Sequence, residues 1–334
     1  MSEGEFDLID RFFVPLTSGG PDPMALGDDV AVIADKNLII TKDVLIAGIH
    51  FHADDPMDLV ARKALRVNIS DIVAKGAKPV YYLLGCSWPT AISQQDIALF
   101  AKGLADDQRQ FKCHLIGGDT TRHRLKSGPF TISITMLGDV PKDGPIRRNA
   151  AQAGDDVYVT GTIGDAGLGL MALSKKTPGK GFDDSDQAEF LKQRYWVPEP
   201  RIVFGSALTS FATAALDASD GVVADATHLA KQSKVGLNLN LDALPLSNAC
   251  AHWLDAQGER SKALAKIASA GDDYEILFTA PKSLRRSVEV AAKASRTRVT
   301  RVGRAELNHP GEVRLSCGDC DDVQVSSSGF DHFR

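Results

Sequence analysis

Acidic residues recur beside glycine, serine or threonine along this sequence. The segments are Gly27-Asp28-Asp29, Thr41-Lys42-Asp43, Asn68-Ile69-Ser70-Asp71, Gly117-Gly118-Asp119-Thr120 and Asp217-Ala218-Ser219-Asp220. Hard oxygen donors of this kind suit magnesium, which is held by a few carboxylates together with phosphates and water. Each segment alone has an ordinary explanation: Asp beside Gly makes turns, and Asp or Ser ahead of a helix caps it. Asp71 is different. It falls inside Val67 to Val73, an otherwise apolar helical stretch, where an unpaired carboxylate would cost several kcal/mol. Taken as a set, the segments point to a divalent-metal site.

The usual phosphate-binding signature, Gly-x-x-x-x-Gly-Lys-Ser/Thr, is absent from the sequence. The run from Gly161 through Gly164 and Gly167 to Gly169 follows a strand pattern and opens a helical one. Its amides could cradle a phosphate, or the glycines could serve a tight turn and close helix packing. No nucleophile beside an activating base stands out. Cys317 and Cys320 form a single Cys-x-x-Cys pair, which without a second pair is not a zinc site.

The elements that must position these residues belong to a soluble globular chain. Its 43% hydrophobic and 24% charged residues allow a sizeable core, and 334 residues imply two domains. A net charge of -5 with no basic face argues against nucleic acid as a partner. No apolar run approaches the ~18 residues of a spanning helix. Met1 to Asp10 is acidic and lacks the basic start of a signal peptide. Scattered cysteines in a long chain read as reduced thiols, so the expected location is cytoplasmic.

Periodicity gives an α/β order of elements. A short helix is expected over Glu5 to Phe13, then strands over Val30 to Ala34 and Asn37 to Thr41. A long helix runs from Pro56 to Ala77, with Gly76 at its end. A strand over Val80 to Cys86, a helix over Ser93 to Phe111, a short strand over His114 to Ile116 and a strand over Phe130 to Leu137 follow. Turn residues gather over Gly144 to Gly154, which places the boundary between a domain of residues 1–148 and one of 149–334. Beyond it come strands over Asp156 to Thr160, Ala212 to Leu216, Tyr274 to Thr279 and Arg298 to Val302. A mobile polar loop is expected over Lys175 to Asp186 and a helix from Gly221 to about Lys231.

Read in order, the motifs carry a resemblance. Glu5-Phe6, Gly27-Asp28-Asp29, Thr41-x-Asp43 and Gly48-x-His50-Phe51 come first. Lys63-Ala64-Leu65-x-Val67-Asn68-x-Ser70-Asp71, Gly76-Ala77-x-Pro79 and Leu115-Ile116-Gly117-Gly118-Asp119-Thr120-Thr121 follow. The second half adds Pro198-x-Pro200-Arg201, Asp217-x-Ser219-Asp220-Gly221, Asp273-Tyr274-Glu275-Ile276 and Asp331-His332-Phe333. The chain resembles, from end to end, the thiamine-monophosphate kinases, which belong to the superfamily of aminoimidazole ribonucleotide synthetase.

The resemblance implies a two-domain α/β (α+β) fold of mixed sheets flanked by helices. It implies a homodimer formed through the amino-terminal domain, and several magnesium ions bridging ATP to the protein. Matched by motif, Asp28, Thr41, Asp43, Asp71, Asp119, Asp217 and Asp220 would ligate metal, with Asp71, Asp119 and Asp220 closest to the chemistry. Gly118, Asp119, Arg148 and Ser219 would contact ATP. His50, Asp272 and Phe330 would contact thiamine monophosphate. Such a reaction needs no general base, because the attacking phosphate oxygen is already anionic; it needs alignment and charge neutralisation.

Two positions depart from the family. Lys42 stands where Thr is usual, and its ammonium could supply part of a magnesium's charge or point away. Asp272 replaces the usual Glu, withdrawing the carboxylate by about 1.5 Å, one carbon–carbon bond. These departures are what would favour a nucleotide-binding regulatory protein without catalysis. Other ATP-using members of the superfamily, selenophosphate or aminoimidazole ribonucleotide synthetases, are the alternative within enzymes.

Overall fold

A computed structural model describes residues 14, 28–33, 37–125, 128–174, 180–318, 323, 324 and 329. The expected helix over Glu5 to Phe13, the residue Phe330, the terminal Asp331-His332-Phe333 and Cys320 lie outside this set.

Alternation of apolar and polar residues builds a first sheet from β1 (Ala31–Ile33), β2 (Leu38–Ile46), β3 (Lys78–Trp88), β4 (His114–Arg122) and β5 (Thr131–Asp139). Their order is β1-β2-β5-β3-β4, with only β3 and β4 parallel. In β5 every second residue, Ile132, Ile134 and Met136, is buried, which is the pattern of a sheet covered on one face. Two helices supply that cover: α1 (Met57–Ala74) and α2 (Gln94–Phe111). Ser93 caps α2 through a reciprocal bond pair with Asp96.

β4 is longer than the three-residue strand expected. Its parallel pairing with β3 continues through Gly117-Gly118-Asp119 to Arg122, past a bulge between Tyr82 and Leu83. Gly118 allows this approach, since a Cβ there would lie 1.9 Å from the Leu84 carbonyl oxygen at φ +154°.

The second sheet has the order β11-β8-β10-β6-β9-β7. Its strands are β6 (Asp156–Thr160), β7 (Ala214–Ala218), β8 (Gly236–Asn240), β9 (Glu275–Ala280), β10 (Val299–Glu306) and β11 (Val313–Ser316). β6, β7 and β9 are buried along their whole length. Around them lie α3 (Asp165–Leu173), α4 (Ser185–Trp196), α5 (Ile202–Gly205), α6 (Val222–Ser233), α7 (Asn248–Asp255), α8 (Arg260–Ala268) and α9 (Arg285–Ser295). The two sheets fall on either side of residues 140–155, and both are mixed, as the α/β reading expects. No helix among the described residues is long and apolar enough to cross a membrane.

One element joins the halves. Helix α1 touches β2 and β5 on one side and β7, β9 and α4 on the other. Most of it is buried, its polar residues Lys63, Arg66, Asn68 and Ser70 included. The polar residues it buries therefore need partners. Arg66 makes two bonds to Asp107 of α2, at 2.6 and 2.8 Å, and a third to the Pro198 carbonyl at 2.9 Å. Asp107 is fully buried and also accepts from Arg62. Replacing Asp107 with alanine would strand Arg66 without its counter-charge. Asp107→Ala is expected to lower the unfolding free energy by about 3–5 kcal/mol in urea titration.

Candidate active site

The cleft between the two sheets has a volume of about 720 Å³ and is lined from both halves. β2 and the turn after it contribute Asp43, Ile46, Ile49 and His50; α1 contributes Lys63, Val67 and Asp71. The second half contributes Asp217, Ser219, Asp220, Gly271, Asp272 and Tyr274. A cleft of this size is ample for a nucleotide-sized ligand.

The carboxylates meet in this cleft. Asp71 points from the last turns of α1 toward β2, where Thr41 donates its hydroxyl to Asp71 Oδ2 at 2.5 Å. Asp43 sits two residues along β2, its amide bonded to the Asn68 side chain at 3.2 Å. Asp217 lies on β7, and Asp220 follows in the loop to α6, where its amide donates to Asp225 at 3.2 Å. Ligand oxygens of Asp29, Asp71 and Asp217 all lie within 4.8 Å of one another. Burial raises the proton affinity of Asp43, Asp71 and Asp217, with mutual repulsion adding to it at Asp43 and Asp71. Asp43 is pushed up to about 7 by desolvation, then by Asp217 and Asp220. Asp71 stands well above the usual carboxylate range, first through burial and then through Asp217 and Asp43; Asp217 is raised by burial.

Two cations answer part of this charge. Lys75, fully buried at the end of α1, donates to the Ala215 carbonyl at 2.7 Å and pairs with Asp28 at 2.7 Å and with Asp29. Arg148 pairs with Asp29, and its amide donates to Asp28 Oδ2 at 3.0 Å. Asp28, which the motif points to as a ligand, and Asp29 are thus both paired with protein donors, and Asp29 also comes within reach of Asp71 and Asp217. Asp217 Oδ2 is buried with no donor facing it. Clustered carboxylate oxygens, proton-holding acids and an orphaned buried oxygen fit a hard divalent cation, which would take the place of those protons.

Beside the carboxylates, the wall is set by loops of awkward backbone. Asp272 and Tyr274 have φ of +71° and +50°, a region costly for residues with side chains. The loop is held by Asp272 N to Ser219 O and Tyr274 N to Ala218 O, both 2.8 Å. Gly271 lets the two loops touch, since a Cβ there would lie 2.5 Å from the Ser219 oxygen. Between the strained residues, Asp273 turns inward and accepts from the amides of Gly164 and Ala166 at 2.6 and 3.2 Å. That settles the glycine-rich run: its amides at the start of α3 are taken by a carboxylate of the protein, so they anchor the Asp272 loop rather than cradle a phosphate.

Lys42 also lines the cleft, and its ammonium donates to Ser133 at 2.7 Å. Asp272 is paired with Lys63 at 3.2 Å. His50 lines the cleft, its Nδ1 accepting from the Ile46 amide at 3.0 Å. Gly118 and Asp119 are not brought to the cluster. They lie on β4, exposed, with β3 and β5 between them and β2. Three strand spacings amount to about 14 Å.

The amino-terminal half matches the family described as AIR synthase related protein, N-terminal domain, over residues 27–140, which sets the class of the fold and its cleft. The thiamine-monophosphate kinase of Caulobacter vibrioides is 41% identical over 90% of this chain and 83% of its own length. That of Escherichia coli K12 is 36% identical over 100% and 99%. A solved structure, AaThiL complexed with AMPPCP and TMP, superposes with a TM-score of 0.83 at 30% identity, covering 99% of this chain and 97% of its own. The chain belongs to the thiamine-monophosphate kinase family.

The protonation of the cluster has a signed consequence. Asp43 holds its proton up to about 7 when folded against 3.8 ordinarily, so folding takes up protons and the metal-free protein loses stability as pH rises across that interval. A divalent cation competes with those protons, so its protective effect grows with pH. The gap in melting temperature between magnesium and chelator is expected to widen from about pH 5 to about pH 8. A gap independent of pH would contradict the cluster as a cation site.

Proposed function

We propose that this protein transfers the terminal phosphoryl group of ATP directly to the phosphate of thiamine monophosphate, giving thiamine diphosphate. The observation that carries this reading is a cleft lined by Asp43, Asp71, Asp217 and Asp220 together with His50 and Asp272, with Asp29 brought against Asp71 and Asp217. The kinase relatives, and AMPPCP, an ATP analogue, together with TMP in AaThiL, support the same pair of substrates.

Two polyanions must meet beside these carboxylates, and Lys75 and Arg148 do not offset them. Asp29, Asp43, Asp71, Asp217 and Asp220, with Thr41 beside Asp71, would hold magnesium, whose charge neutralises the phosphates and their transition state. Ser219, on the cleft wall, and Arg148, which pairs with Asp29, would contact the triphosphate. His50 and Asp272 would face the thiamine side, with Phe330 assigned there by its motif alone. No side chain accepts the phosphoryl group, because the acceptor oxygen carries its own negative charge and attacks without a base.

A homodimer through the first sheet belongs to this reading. Val44, Tyr81, Leu83, Leu115 and Ile116 are each at least 40% exposed, an apolar surface large for a monomer. The same surface carries Gly118 and Asp119, so pairing is what could return them to nucleotide binding. Assignment of residues 1–148 to ATP, metal and dimer contacts, and a cytoplasmic location, complete the reading. No membrane or nucleic acid takes part in it.

Purified protein with ATP, magnesium and thiamine monophosphate should yield thiamine diphosphate by chromatography, and a protein that binds ATP without product would contradict the proposal. Asp71→Asn should lower turnover by about a hundredfold or more with little change in melting. In a single turnover without acceptor, no labelled phosphoprotein should be trapped; a covalent phosphoenzyme would rule out direct transfer.

A further inference from the structure

Lys63 is a lysine of α1 that is 1% exposed, in a part of the helix where every buried polar group must find a partner. Its ammonium donates to the His50 carbonyl at 3.0 Å and pairs with Asp272 Oδ1 at 3.2 Å. It also lies 3.6 Å from the centre of the Tyr195 ring. The Tyr195 hydroxyl donates to the same His50 carbonyl at 3.1 Å. One buried charge thus joins the turn after β2, helix α4 and the Asp272 loop, three segments drawn from both halves of the chain. His50, Lys63 and Asp272 all line the cleft.

The pairing changes what Asp272 can contribute. Its carboxylate is not a free anion waiting for a positive ring; it is already balanced, and held in a left-handed backbone conformation that a looser loop would leave. Tyr274 next to it is held in the same costly region. We infer that Lys63 is a positioning residue for the acceptor: by bonding the His50 carbonyl and the Asp272 carboxylate together, it fixes the separation of the two walls between which the thiamine moiety binds. This inference rests on the kinase reading above. Burial lowers the proton affinity of Lys63, and Asp272 and Asp55 oppose that.

Steady-state kinetics of Lys63→Met, Asp272→Asn and the double variant test it, each substrate varied in turn. Lys63→Met is expected to raise KM for thiamine monophosphate about tenfold or more while KM for ATP stays within about twofold. In the Asp272→Asn background the same change should raise it by less than about threefold, because the partner it acts through is already gone. Lys63→Arg, which keeps charge and donors, should recover part of the loss. Equal rises in both constants, or effects of Lys63 and Asp272 that simply multiply, would overturn the inference. If Lys63→Met fails to fold, Tyr195→Phe removes only the second bond to the His50 carbonyl. It should raise the constant for thiamine monophosphate selectively, and an unmoved constant would overturn the inference. Wild-type protein that makes no thiamine diphosphate would defeat the kinase reading itself, and this one with it. Wild-type turnover with acceptor constants insensitive to these changes would defeat this one alone.

Discussion

Asp43, Asp71 and Asp217 converge from both halves of the chain on one cleft, where keeping all three ionised without a cation is costly, and much of the molecule is arranged around that constraint. Left to itself, such a cluster would push the two halves of the chain apart. Helix α1 prevents this by being buried against both sheets at once, with Arg66 and Asp107 locking it to its neighbour. Lys75 at its end and Arg148 in the linker neutralise Asp28 and part of Asp29, leaving the remaining carboxylates short of positive charge. That deficit is the property a metal-bound nucleotide can satisfy. The loops carrying Asp220 and Asp272 brace each other through Gly271, so these two carboxylates cannot shift independently.

Much of this was legible in the residues. The α/β order, the two-part organisation and the linker region follow from periodicity and turn chemistry, and most elements lie within a few residues of their expected bounds. The short strands β8 and β11 have weak patterns: β8 alternates over only five residues, and its packing partners come from distant sequence. β4 was hidden by its glycines, which read as a turn and serve as a close strand contact.

The site was legible as a list of carboxylates but not as charge balance. The reasoning that singles out Asp71, a charge in an apolar helix, applies equally to Lys63, Arg66 and Lys75 in the same helix, and those cations each prove to pair with a carboxylate. Asp29 is masked by Asp28 beside it, because a Gly-Asp-Asp turn does not reveal which carboxylate faces inward. The two departures from the family also separate. Lys42 bonds to Ser133 of β5, whereas Asp272 gains a buried lysine as partner on the cleft wall.

The central claim is that the cleft is too acidic to accept a nucleotide unless divalent metal comes with it. Calorimetric titration of ATP into the protein, with magnesium and again in excess chelator, addresses this directly without requiring turnover. Saturable binding with magnesium, weakened at least about a hundredfold in chelator, is the predicted result. Equally tight binding of ATP in both conditions would mean that Lys75 and Arg148 already balance the site, and would contradict the account.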